Sequence, residues 1–239
     1  MQQTSNLKPV DPAYIDEASL LQKIRENAQA RKIPVISDET ARFLEAVCFI
    51  KKPEKILEIG CGTGYSTYFI LKSFRRIIEP RDIRQKNYSV TDDKKYFYTG
   101  IDLNRERIAE AKNYIEKTFP EFGTDNQIRD LINIRFLPGN AIKIIPQLGQ
   151  RFDFVFMDAA KFEYPLYIKS LEGKLEEGAI VIADNVFYSG KIFNNNITGH
   201  DRNSVAGLKE FIKYISETDN IRTDFFNISD GISVSIFKG

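Results

Sequence analysis

The stretch Lys55-Ile56-Leu57-Glu58-Ile59-Gly60-Cys61-Gly62-Thr63-Gly64-Tyr65-Ser66 decides the fold. Five residues of strand character lead into three glycines at alternate positions. An apolar-periodic run over residues 65–74 then reads as a helix. Strand, glycine loop and helix in that order form the opening unit of a parallel α/β sheet. Glycines at such a junction let a ligand approach the backbone closely, because no Cβ stands in the way.

Working outward, further strands are expected at residues 96–101, which end at Asp102, and at 132–137, 152–157 and 179–183. The runs 152–157 and 179–183 are almost continuously apolar, as strands covered on both faces are. Residues 222–228 and 232–237 flank Ser229-Asp230-Gly231, which reads as a turn between antiparallel strands. Helices are expected over 13–31, over about 39–49 behind the cap Ser37-Asp38, and over 105–118. Phe43, Leu44 and Val47 give the second of these its inward face. The pattern predicts an α/β, doubly wound, Rossmann-like fold. Its seven-stranded sheet is mostly parallel with an antiparallel C-terminal hairpin, and helices cover both faces. One domain over 1–239 suits the length, with 1–31 as an N-terminal arm and helix.

The segment 78–95 reads as a polar insertion containing Pro80. From 72 to 95, eight basic residues face four acidic ones, and a solvated loop is the favoured reading of such a run. Residues 120–130 are polar as well. Over the whole chain, 34 basic residues balance 33 acidic ones. That balance offers no general field to nucleic acid or an anionic membrane and favours a small-molecule substrate. Two cysteines and one histidine exclude a disulfide framework and argue strongly against a zinc site. A metal would have to sit on carboxylates and amides, which select hard cations. Residues 1–6 are polar with no apolar run behind them, so neither a signal peptide nor a membrane span is expected, and the cytoplasm is the default location.

Ligands of such sheets collect at the carboxyl ends of the strands. This directs attention to Glu58, the glycine loop, Asp102, Asn140, Asp158 and Asp184. The loop alone is a weak signal, since dehydrogenases use a related one with the third glycine a residue later. Asp102 suits ribose hydroxyls but lies 38 residues past Gly64; without the 18-residue insertion the gap is 20, the usual spacing of roughly 20. Glu58 would repel a pyrophosphate, whereas S-adenosylmethionine has no phosphate and carries a sulfonium and an ammonium. The plainer reading makes the loop a tight turn, Asp102 a helix cap and Glu58 a strand end.

Asp158-Ala159-Ala160-Lys161 and Ala183-Asp184-Asn185 each follow a strand. If those strands are neighbours, their ends lie about 5 Å apart. Asp158, Asp184 and Asn185 would then offer three oxygens to a cation such as Mg²⁺, leaving three of its positions for substrate and water. One Asp at a strand end is commonplace; two with an Asn and a nearby Lys are more informative.

These residues, together with Gly139-Asn140-Ala141 and above all Asp184-Asn185-Val186-Phe187-Tyr188-Ser189-Gly190-Lys191, carry a resemblance. Over about residues 13–239 the chain resembles the cation-dependent O-methyltransferase family that includes catechol and caffeoyl-CoA O-methyltransferases. The resemblance implies that Ile36, Glu58, Gly60, Cys61, Ser66, Asp102 and Ala141 line S-adenosylmethionine. Asp158 would face both cofactor and metal, Asp184 and Asn185 would complete the ligands, and Lys161 would be the base. The cation would be Mg²⁺, with Mn²⁺ or Ca²⁺ as alternatives. A catechol or caffeoyl-type hydroxyl would be the acceptor, and a homodimer is implied, with 1–31 as the candidate contact. The chain departs from the family's usual pattern at Ala160, Glu163 and Tyr188, where Asp, Asn and Trp are common. Lys161 could accept the proton if the nearby cation and partial burial depress its pKa. The competing readings are O-methylation of a modified tRNA base hydroxyl, a nicotinamide-dependent oxidoreductase, and a non-catalytic nucleoside-binding module.

Overall fold

The computed structural model describes residues 17–82, 95–122, 131–194 and 196–238. Its strands are β1 (Lys55–Ile59), β2 (Tyr96–Asp102), β3 (Ile132–Pro138), β4 (Phe152–Met157), β5 (Leu175–Asp184), β6 (Ile221–Phe226) and β7 (Ile232–Phe237). Its helices are α1 (Glu17–Ala30), α2 (Asp38–Lys51), α3 (Tyr65–Asp82), α4 (Arg105–Thr118), α5 (Ala141–Ile144), α6 (Tyr164–Ser170) and α7 (Arg202–Glu217). The strands join one sheet in the order β3-β2-β1-β4-β5-β7-β6. The pairings among β1 to β5 are parallel, whereas β7 runs antiparallel to both β5 and β6.

The pleat sorts the core into two layers. Ile56, Phe154, Phe156 and Ile182 face the helices α1 to α4, where Ile24, Leu44, Phe74 and Ile115 meet them. Leu57, Val155, Met157 and Val181 face the other way, onto Tyr164, Ile168, Leu208 and Phe211 of α6 and α7. Adjacent residues of one strand thus serve opposite layers, as a period of two requires. This is why β4 and the second half of β5 are almost continuously apolar.

The ends of the elements differ in places from the sequence-based expectation. Ser37 caps α2 as expected, accepting the Thr40 N–H at 3.1 Å. Helix α3, expected to stop at 74, continues to Asp82 and takes in the first part of the insertion. Residues 83–94 and 123–130, the rest of the two insertions, lie outside the described residues, as do residues 1–16. Strand β5 begins at Leu175, with a register irregularity opposite β4 between Phe152 and Phe154. Strand β6 spans 221–226 rather than 222–228. Helices α6 and α7 were not anticipated. Among the described residues, no helix is long and apolar enough to cross a membrane.

Three backbone hydrogen bonds bring the strand ends to one line. Gly60 N–H donates to Ile101 at 2.8 Å, Asp158 N–H to Ile59 at 2.9 Å, and Gly139 N–H to Asp102 at 2.8 Å. Met157 and Ala183 are register partners, so Asp158 and Asp184 follow on neighbouring strands.

Candidate active site

A cleft of about 460 Å³ opens along this line of strand ends. Of the residues singled out from sequence, Gly60, Asp102, Ala141, Asp158, Lys161 and Asn185 line it. Ile36, Glu58, Cys61, Ser66 and Asp184 are buried behind its surface. Ile33, Pro34, Leu103, Arg107 and Tyr167 also line it and were missed. The first two come from the α1–α2 connection and Tyr167 from an unforeseen helix, so no local motif marked them.

Asp102 is fixed from both sides: one carboxylate oxygen accepts the Gly62 N–H at 3.0 Å, the other the Asn104 N–H at 2.8 Å. Asn104 in turn caps α4. The glycine loop and the end of β2 are therefore one assembly. Gly60 has φ +92°, and a β-carbon there would lie 2.7 Å from the Asp158 carbonyl carbon and closer still to its oxygen. The loop thus lies directly on the backbone of Asp158.

Glu58 is fully buried. Its carboxyl accepts hydrogen bonds from Ser66 Oγ and Tyr98 Oη, and from Thr67 Oγ1 at 2.8 Å. Burial raises its pKa, against the opposing pull of those three hydroxyls. Ser66 and Thr67 belong to the first turn of α3, so the carboxyl sits where the positive end of the helix dipole favours an anion. The plain reading of Glu58 as an exposed strand end is overturned.

On the other side of Gly60, Lys161 Nζ donates to Asp158 Oδ1 at 2.7 Å and to Tyr164 Oη at 2.9 Å. Tyr164 Oη also lies 3.1 Å from the Met157 carbonyl and 3.0 Å from that of Asp184, holding the ends of β4 and β5 together. Burial pulls the Lys161 pKa down, but the charges and hydrogen bonds of Tyr164 and Asp158 outweigh it and hold it above the ordinary lysine value. Without a cation the site thus raises the Lys161 pKa; the depression that the base role calls for would have to come from a bound cation. Asp184 is pushed up to about 7, first by burial and then by the negative charge of Asp158.

Asn185 follows with φ +56°, and Tyr188 and Ser189 share that left-handed conformation. The loop is held by the turn before β7, where Val186 and Phe187 N–H groups donate to Gly231 and Asp230, each at 3.0 Å. Gly231 is required there, because a β-carbon would run into the Phe187 ring. Lys191 and Tyr188 both bond Asp201, at 2.7 and 3.0 Å. Among the described residues, no group of three or more His, Cys, Asp or Glu side chains is placed to hold a metal. The candidate set is two carboxylates and an amide. Hard oxygen donors of this kind, with one carboxyl raised by burial and then by its neighbour's charge, fit a divalent cation that would offset the repulsion.

The family model described as O-methyltransferase matches residues 12–237. Tapetum-specific methyltransferase 1 of Arabidopsis thaliana is 26% identical over 235 residues, covering 93% of this chain and 88% of that protein. A catechol O-methyltransferase of Niastella koreensis is 26% identical over 212 residues, 85% of this chain and 82% of that protein. The crystal structure of an O-methyltransferase from Bacillus cereus in complex with SAH aligns with a TM-score of 0.70 at 21% identity, over 98% of this chain and 94% of that one.

Proposed function

This chain belongs to the O-methyltransferase family, and we propose that it methylates an aromatic hydroxyl with a second oxygen beside it, using S-adenosylmethionine and a divalent cation. S-adenosylmethionine supplies a methyl group on a sulfonium. The cation, with Mg²⁺ first among candidates, would supply Lewis acidity that lowers the acceptor's pKa. The observation that carries the reading is the contact of the glycine loop with Asp158. It sets the Asp158–Lys161 pair beside the cofactor loop in one cleft.

In this reading Asp102 holds ribose hydroxyls, Gly60 and Gly62 admit the cofactor to the backbone, and Ala141 leaves room for its base. Asp158, Asp184 and Asn185 hold the cation. Glu58 supports the cofactor loop from behind. Its carboxyl occupies the amino end of α3, where a dinucleotide-binding protein seats a phosphate, and this disfavours the oxidoreductase reading. Lys161 accepts the acceptor's proton at Nζ. Because its ammonium is stabilised by Asp158 and Tyr164, loading of the site must first favour the neutral amine.

The test is Lys161→Ala assayed with 3,4-dihydroxybenzoate, S-adenosylmethionine and Mg²⁺. A fall in kcat on the order of 10²-fold or more is expected; an unchanged rate across roughly pH 6 to 9 would sink the base role. A homodimer using residues 1–31 belongs to the same reading, and sedimentation of the intact chain checks it: a monomer at micromolar concentration would end it.

A further inference from the structure

Glycine is the poorest helix former after proline, so a buried glycine inside a helix calls for a reason. Gly207 lies in the interior of α7 and is buried. A β-carbon there would lie 2.7 Å from Phe162 Cα, 2.8 Å from the Phe162 carbonyl oxygen and 3.0 Å from the Lys161 carbonyl oxygen. The obstacles are backbone atoms, which no rotamer change can remove. One helical turn on, Phe211 packs edge-on against the Tyr164 ring, with centroids 5.3 Å apart and planes at 82°. Residues four apart share a helix face. A single stripe of α7 therefore carries both the backbone of Lys161 and the ring whose hydroxyl bonds Lys161 Nζ.

We propose that Gly207 is a positioning residue for Lys161, with α7 serving as the rigid backstop that sets where the ammonium stands between Asp158 and Tyr164. This rests on the methyltransferase reading, in which Lys161 handles the acceptor's proton. It adds a residue 46 positions away in sequence that touches neither cofactor nor acceptor. The stripe makes the position of Lys161 depend on two independent anchors, the sheet through Asp158 and the helix through Gly207. A displacement of about 1 Å at a reacting group is enough to cost on the order of 10²-fold in rate.

The test compares Gly207→Ala with the parent protein, using 3,4-dihydroxybenzoate, S-adenosylmethionine and Mg²⁺. The expected result is a kcat lower by about 10- to 100-fold, with affinity for S-adenosylhomocysteine by calorimetry held within about twofold. In a Lys161→Ala background, Gly207→Ala should cost nothing further, since there is no amine left to misplace. Losses that add in the double variant, or an unchanged kcat, overturn the proposal. If Gly207→Ala does not fold, Phe211→Leu, which removes the ring against Tyr164, is read by the same cycle with a smaller loss.

A parallel measurement needs no turnover: acetylation of Lys161 by acetic anhydride, which releases acetate, followed by peptide mass spectrometry. Faster modification in Gly207→Ala supports the proposal and an equal rate overturns it. If the parent protein transfers no methyl group to the probe, the functional reading fails on its own and the labelling rates judge the position of Lys161.

Discussion

Two glycines of the cofactor loop should respond very differently to the same substitution. Both have positive φ, +92° at Gly60 and +51° at Gly62. An alanine at either position meets the left-handed penalty of about 1–2 kcal/mol. The entropy removed from the unfolded chain is the same in both and cancels. Only at Gly60 does the new β-carbon strike something: the Asp158 carbonyl group, with the Ala159 Cβ at 3.1 Å, whereas nothing stands within 4 Å at Gly62. Overpacking against fixed atoms adds about 1–3 kcal/mol. Gly60→Ala should therefore cost about 2–5 kcal/mol and Gly62→Ala about 1–2 kcal/mol, set against a total stability of about 5–15 kcal/mol. Urea unfolding followed by circular dichroism reads the difference. Titration with S-adenosylhomocysteine should show the larger affinity loss in Gly60→Ala, because relief of the overlap must push Asp158 and the loop apart. Unfolding free energies for the two variants that agree within about 0.5 kcal/mol would refute the claim that the loop rests on Asp158.

Tyr98→Phe removes one donor from the buried Glu58 carboxyl and should cost about 1–3 kcal/mol by urea denaturation; an unmoved midpoint would mean that Ser66 and Thr67 suffice. The Asp38 carboxylate accepts from Arg25 at 2.6 and 3.1 Å and from Tyr65 Oη at 2.9 Å, and these bonds hold its pKa below the ordinary value. A depressed acid contributes stability above its unfolded pKa near 4 and loses it as pH falls through the folded value. Asp38→Asn should thus cost at most about 1 kcal/mol at pH 7, for so exposed a pair, and nothing near pH 2; a cost independent of pH would be the wrong result. Removal of divalent cations with EDTA should abolish methyl transfer to a catechol, with recovery on adding Mg²⁺, and Asp184→Ala should raise the Mg²⁺ concentration needed; full activity in EDTA would end the metal proposal.

The sheet was legible because its signal is local. Runs such as Phe152-Asp153-Phe154-Val155-Phe156-Met157 can bury both faces only as an interior strand, and the glycine loop fixed which ends of the strands matter. Helix α7 was legible in principle, with Val205, Leu208, Phe211 and Ile215 at helical spacing, but Gly207 in its interior weakens that signal. The burial of Glu58 was not legible, since its partners lie 8, 9 and 40 residues away and only the packing of α3 on the sheet collects them. The raised pKa of Lys161 depends likewise on Tyr164, whose ring is set by α7. Sequence reasoning named the groups of the site; the environment that tunes them is assembled over long range.

Strand β7 lies between β5 and β6 although it follows both in sequence. During synthesis, the open edge of β5 must therefore wait from Asp184 until residue 232 and beyond. That is 48 residues, or about 2–10 s at roughly 5–20 residues per second. For that interval the flank of Ile180, Val181 and Ile182 is an unpaired apolar edge, the kind that recruits other chains. The loop carrying Asn185 is anchored by the same late segment, through Gly231 and Asp230. A chain stopped before residue 230 would keep the glycine loop and Asp102 yet lack the support for Asn185. The two halves of the cleft are thus separated in time as well as in sequence: the donor half matures first, and the acceptor half closes only when the sheet is sealed.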